Sequence, residues 1–169
     1  MSSEIKFQFI RPFGPRICKV TMPKEIIESL NHYVDKTIKD QKKIDTLDHG
    51  KNLAGNVQQE FKLENKFIEE SKWGGFLSNC TKVWIKHSLK QELTKFQLIS
   101  SWIVRQFKNE YNPIHTHGGH LSGVGYLKVP KNFGKGTDAF VPSSINLKSV
   151  LITNHKGESF NIAPIVSDF

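Results

Sequence analysis

Phe96-Gln97-Leu98-Ile99-Ser100-Ser101-Trp102-Ile103-Val104-Arg105-Gln106-Phe107 marks the point at which this chain changes character. The stretch is rich in β-branched and aromatic residues and holds no Gly or Pro, so it predicts one long buried strand over 96–107. Downstream, 121–129 predicts a second strand, stopped by Pro130. Residues 146–153 and 159–166 predict two more, joined by the hairpin-like turn Asn154-His155-Lys156-Gly157-Glu158.

Upstream of Phe96 the periods are mostly helical. Residues 4–10 do alternate, with Ile5, Phe7 and Phe9 on one side, and 17–22 offers a second short extended piece. Thr21 then stands as an N-cap with Pro23 in the first turn, where its missing N–H costs nothing. Ile26, Ile27, Leu30, Tyr33, Val34 and Ile38 recur at three- and four-residue spacing, which predicts an amphipathic helix over about 23–40. Residues 45–61 are polar and broken by Gly50 and Gly55; they predict a loop with a short extended piece at 57–61. Phe76, Leu77, Cys80, Val83, Trp84 and His87 form one stripe of a second helix over 76–89, with Cys80 as a small core residue and His87 at the border.

Helices before strands, segregated in this way, predict an α+β fold. The expected arrangement is one domain over 1–169, with helical support over about 1–95 and a β-core over about 96–169. The two helices should pack on one sheet. The order of elements argues for this, or for a β-core with helices packed on it, over a doubly wound parallel sheet.

The chain has 169 residues, 37% hydrophobic and 24% charged, which is a globular composition. A chain of this length buries on the order of 70% of its unfolded surface and needs no staples. Two cysteines, Cys18 and Cys80, make neither a disulfide framework nor a four-cysteine zinc site. No apolar run approaches a membrane span, and the first residues lack the apolar region of a signal peptide, so a cytoplasmic protein without membrane partners is expected. The net charge is +8, but only Arg11, Arg16 and Arg105 are arginines and the lysines are scattered. Nucleic-acid readers cluster their charge and favour Arg, so a solvated lysine surface is expected instead of a nucleic-acid partner.

Three of the seven histidines fall within six residues, in Asn112-Pro113-Ile114-His115-Thr116-His117-Gly118-Gly119-His120. Pro113 biases Asn112 to an extended conformation. If His115–His117 is extended, its period of two puts both imidazoles on one face, the spacing at which two nitrogens reach one metal ion. Gly118-Gly119 then allows a sharp turn. The alternative is a polar turn with incidental histidines. No carboxylate lies within the cluster to orient a catalytic His, so metal binding is preferred to acid–base chemistry.

Tyr111-Asn112-Pro113-Ile114-His115-Thr116-His117-Gly118-Gly119, followed by Leu121-Ser122-Gly123-Val124 and Tyr126-Leu127-Lys128-Val129-Pro130, resembles the iron(II)/2-oxoglutarate oxygenases of marine phages and bacteria. Ser101-Trp102-Ile103-Val104 resembles the strand leading into their histidine motif, and Asn52-Leu53-Ala54-Gly55-Asn56 with Glu60 resembles an upstream stretch. The resemblance implies a double-stranded β-helix, a jelly-roll-like pair of sheets braced by helices. It implies Fe(II) as cofactor and 2-oxoglutarate as cosubstrate, with decarboxylation of the latter coupled to hydroxylation of a C–H bond in an unassigned prime substrate. A phage member would work in the host cytoplasm.

The ligands implied are His115 and His117, with His120 as third candidate; the family commonly carries Asp at that position. Tyr111, Ser122 and Tyr126 are the implied cosubstrate contacts. An inward Tyr126 hydroxyl would meet a cosubstrate carboxylate, or as a core tyrosine it would bond to backbone. Ser167-Asp168-Phe169 resembles a segment after which the family continues with a Phe-Pro strand, a last histidine ligand and a carboxylate-binding Arg. The chain therefore reads as the front part of such an oxygenase, possessing doubtful turnover by itself. Two other classes stay open. One is a jelly-roll module that binds metal or sugar without turnover, and the other is a phage structural or interaction protein. An unpaired last strand would favour self-association through an open sheet edge.

Overall fold

Strand β1 (Phe7–Ile10) pairs antiparallel with strand β2 (Ile17–Thr21), Phe7 opposite Val20 and Ile10 opposite Ile17. The computed structural model describes residues 5–11, 16–52, 55–113, 117–128 and 149–154; residues 52 and 149–154 are described by backbone alone. Strand β3 (Gln59–Lys62) pairs with β4 (Trp102–Arg105), and β5 (Leu121–Gly125) pairs with β6 (Ser149–Asn154). Strand β6 also pairs with β2, so the four-stranded sheet runs β1-β2-β6-β5 beside a two-stranded sheet of β3 and β4. Every ladder is antiparallel. The fold is α+β with small antiparallel sheets and helices. A double-stranded β-helix is not shown by these strands.

The expected division near residue 95 does not describe the sheets. Strands β1, β2 and β3 come from the first half and join strands of the second half in both sheets. The long strand expected over 96–107 is also corrected: only Trp102–Arg105 is strand, and 91–100 has no regular structure. A strand extends only as far as its partner, and β3 offers four residues. Likewise β5 ends at Gly125 short of the expected 129. Residues 159–166 and the turn 155–158 lie outside the described residues.

Helix α1 (Lys24–Thr37) buries Ile26, Ile27, Leu30, Tyr33 and Val34, the stripe read from the sequence. Its N-cap is Pro23; Thr21 is instead the last residue of β2. Helix α2 (Gln41–Leu47) follows, capped by Asp40, whose side chain accepts from the Lys43 N–H at 3.1 Å. Helices α3 (Asn65–Glu70) and α4 (Trp73–Leu89) complete the set. Helix α4 begins three residues before the expected start and takes in Gly74-Gly75. It buries Trp73, Phe76, Cys80 and Trp84, while His87 is exposed and stacks on Phe9 at 3.7 Å between ring centroids.

One core cluster joins these faces. Cys18 and Val20 from β2, the α1 and α4 stripes, Phe61 from β3 and Ile103 from β4 all belong to it. The helices therefore meet residues of both sheets, where one sheet was expected. Cys18 and Cys80 are free thiols in this core, and burial pushes their pKa values up to about 11 and about 12. Trp84 donates its Nε1–H to the Arg16 carbonyl at 3.2 Å, tying the start of β2 to α4.

A polar tie holds the helices together at the edge of that core. Tyr33 donates its hydroxyl to Glu64 Oε2 at 2.8 Å, and Lys43 pairs with the same carboxylate while lying over the Tyr33 ring. Tyr33 also stacks on Phe67 at 4.0 Å. The Lys43 and Tyr33 hydrogen bonds hold the Glu64 carboxyl below its usual range, and burial with the Glu64 contact pushes Tyr33 up to about 12.

Two predictions follow from these contacts. A carboxyl whose folded pKa is depressed contributes stability above its unfolded value, and that contribution disappears as pH falls through the folded value. Urea midpoints of the parent and Glu64→Gln should therefore differ at pH 7 and converge as the pH drops below about 4; a gap that persists at acid pH would rule the pairing out. Lys90 holds a left-handed conformation at the α4 C-terminus, φ 59°. Lys90→Gly removes that cost and should raise unfolding free energy by about 0.5–1 kcal/mol in the same assay.

Candidate functional site

Strand β3 is bordered on both sides. Beyond its ladder with β4, Asp48 bridges Phe61, and the His49 N–H donates to the Glu60 carbonyl at 2.8 Å. Alternation then places His49, Glu60, Lys62, Trp102 and Val104 on one face, opposite the Phe61 and Ile103 that enter the core. Trp102 is half-buried there, between two imidazoles. Its indole meets His49 edge-on at 5.3 Å and His117 at 5.4 Å, tilted by 31°.

Polar groups are buried here, on this face at Glu60 and just beyond the end of β4 at Gln106. Glu60 is only 3% exposed and Gln106 only 4%. Gln106 donates its amide to the Glu110 carbonyl at 2.6 Å, while its Oε1 is buried without a hydrogen-bond partner. The Nδ1 of His49 is likewise buried without one. Burial and then the nearby Lys62 ammonium lower the His49 pKa, with Asp48 opposing.

The loop into the histidine motif is fixed from upstream. Asn56 and Tyr111 form an antiparallel bridge, with the Asn56 N–H donating to the Tyr111 carbonyl at 2.8 Å and the Tyr111 N–H returning at 3.3 Å. Gly55 makes this approach possible: a Cβ there would stand 3.2 Å from the Tyr111 carbonyl and collide with the Asn112 side chain. Glu110 closes the other end, its carboxylate accepting from the N–H groups of Gln58 and Phe107. Gly119 has φ +97°, a conformation that suits glycine, and sits against Ile99.

Of the expected metal ligands, His117 is half-buried against Trp102, His120 is exposed, and His115 lies outside the described residues. Imidazole donors suit a divalent transition ion. Among the described residues, however, no three His, Cys, Asp or Glu side chains gather to hold one. The structure thus supplies one imidazole of the expected set to the sheet face and leaves the ligand geometry unassigned. Of the expected cosubstrate contacts, Ser122 on β5 is half-buried and Tyr111 is 59% exposed. Tyr126 is half-buried just beyond β5, and burial raises its hydroxyl pKa. Leu127, beside it, is half-buried as well. Sequence reasoning passed over His49, Lys62 and Gln106. A lone histidine in a polar stretch carries no periodic signal, and only the bridge at Asp48 brings it onto the sheet.

Gly55→Ala should push Asn112 aside and loosen the bridge to Tyr111. The expected cost is about 1–2 kcal/mol, with faster amide exchange at Asn56 and Tyr111. Unchanged exchange at both amides would show that the loop does not depend on this close approach.

No helix among the described residues is long and apolar enough to cross a membrane. Comparisons with protein-family models, with curated proteins and with solved structures find no match for this chain.

Proposed function

We propose that this chain is an Fe(II)/2-oxoglutarate-dependent oxygenase domain of the double-stranded β-helix type, with His115 and His117 as iron ligands. One observation carries the reading. The two stretches that resemble the family lie more than fifty residues apart in sequence, yet they meet at the Asn56–Tyr111 bridge, where the histidine motif begins. The bound iron and cosubstrate would supply the oxidising chemistry; the protein's part is orientation and exclusion of water. Trp102 packs against His117 and limits where that imidazole can point. Tyr126, half-buried after β5, and Ser122 stand as cosubstrate contacts, with the exposed Tyr111 at the rim. His120 is exposed, so it becomes a third ligand only by an inward turn at Gly118-Gly119.

A second reading is a metal- or ligand-binding module without turnover. It rests on the same Asn56–Tyr111 bridge and Trp102–His117 packing but requires neither a third ligand nor a cosubstrate-binding cation.

Anaerobic titration with Fe(II) and 2-oxoglutarate separates the two. The oxygenase reading expects a weak visible charge-transfer band, lost in His115→Ala and retained in His155→Ala. Fe(II) binding without that band would favour the module, and a His115→Ala variant that binds as well as the parent would remove the histidines from the site altogether.

A further inference from the structure

We propose that the outer edge of β4, with the segment 96–100 that leads into it, docks an acidic extended segment of another protein, which pairs with it as an added strand. The proposal needs no metal and goes beyond the oxygenase reading.

Strand β4 has a partner on one side only. The Leu63 N–H donates to the Ser101 carbonyl at 2.9 Å and Phe61 stands opposite Ile103, so the backbone groups of Ser101 and Ile103 point towards β3. Those of Trp102 and Val104, one residue out of phase, point away from it. The two-stranded sheet ends there, and among the described residues nothing pairs with the backbone of Trp102 or Val104 on that side. Residues 96–100 have no regular structure and make no backbone hydrogen bond among the described residues. Yet 96–107 has the composition of one continuous strand, of which β3 pairs only a part. Strand propensity and unused backbone groups thus coincide on one stretch. That stretch is also accessible: Gln97 and Ser100 are exposed, and Ile99 is 72% exposed. An added strand would complete the ladder with its own peptide groups and cover the Ile99 side chain.

The chemistry of the edge says what the added strand belongs to. A ladder is made of peptide N–H and C=O groups, so the occupant is a polypeptide and not a nucleic acid. Its charge follows from the cations around the edge. Between Leu93 and Asn109 the chain carries Lys95, Arg105 and Lys108 and no Asp or Glu, in a molecule of net charge +8. Glutamate or aspartate on the added strand would meet those cations, and opposite charges across a strand pair stabilise it whereas like charges oppose it. A second copy of this chain would bring the same cations and the same net charge to the edge. In the antiparallel register that sets Leu98 opposite Trp102, Lys95 of one copy would face Arg105 of the other. The charge that disfavours self-pairing is the charge that favours an acidic strand.

The test uses the full chain without metal and fluorescein-labelled model peptides of equal length, alternating Val with Glu or Val with Lys. Fluorescence anisotropy should rise saturably with the Val-Glu peptide and little with the Val-Lys peptide, and the difference should shrink in high salt. Amide exchange at Trp102 and Val104 should slow when the Val-Glu peptide is added. Val104→Pro removes an outward N–H and leaves the hydrogen bonds to β3 in place, so it should weaken binding several-fold. Ser100→Pro, at the next exposed position in phase with Trp102, decides the matter if far-UV circular dichroism shows that Val104→Pro does not fold. Lys95→Glu should weaken the Val-Glu peptide and strengthen the Val-Lys peptide. The proposal is overturned if the Val-Glu peptide does not bind, if the Val-Lys peptide binds as well, or if the folded proline variant binds like the parent. It is overturned too if both amides are already protected in the free chain, or if sedimentation shows a dimer that the proline variant dissociates, since this chain or its copy then fills the edge. None of these outcomes bears on the iron titration, and failure of that titration would leave this result standing.

Discussion

Glu60 and Phe61 are neighbours on β3, point to opposite sides, and are both almost wholly removed from solvent. That double burial is the constraint on which the rest of the structure depends. A four-residue strand has little intrinsic stability. Here it holds because β4 pairs on one side, Asp48 and His49 pair on the other, and Phe61 enters the helical core. Burying Phe61 contributes about 1.5–3 kcal/mol of apolar transfer. The same pleat fixes which residues face the opposite way, so the core on one side determines the polar face on the other.

Much of the scaffold was legible because it obeys a simple period. The α1 stripe and the alternation of β1 are signals of apolar burial, and both elements are present near the expected positions. Helices α2 and α3 were missed for the complementary reason: both are short and neither contains a fully buried residue, so each leaves only one or two half-buried apolar positions to read. The over-reading at 96–107 has another cause. β-branched and aromatic composition reports affinity for a sheet, but the length of a strand is set by its partner, and partners are not visible in the segment itself. Helix α4 errs the other way, starting three residues before the expected Phe76, since packing of Trp73 and Phe76 at 5.8 Å between rings holds a helical turn through Gly74-Gly75 that glycine disfavours.

The site was legible only in part. His115–His117 stands out by spacing, and Gly55 and Asn56 by resemblance, but their contact with Tyr111 and Asn112 is a long-range pairing. What the residues of 45–61 do could not be read from their polarity. Asp48 and His49 look like loop residues and act as a third, very short strand bordering β3. Cysteine was the easier case: Cys18 and Cys80 are small apolar groups in a core, and their raised thiol pKa values follow from burial alone.

The polar side of β3 is expensive to keep. Each buried polar atom without a partner costs about 1–3 kcal/mol, and folded domains are stable by only about 5–15 kcal/mol. Gln106 Oε1, just past β4, and His49 Nδ1, beside β3, both fall in that class. Apolar side chains of similar size would pack there at lower cost, as Phe61 and Ile103 do on the opposite face. The asymmetry between the two faces is therefore not required by folding. Polar burial of this kind suits a face that keeps hydrogen-bonding groups in place, and His117 packs on Trp102 on that second side.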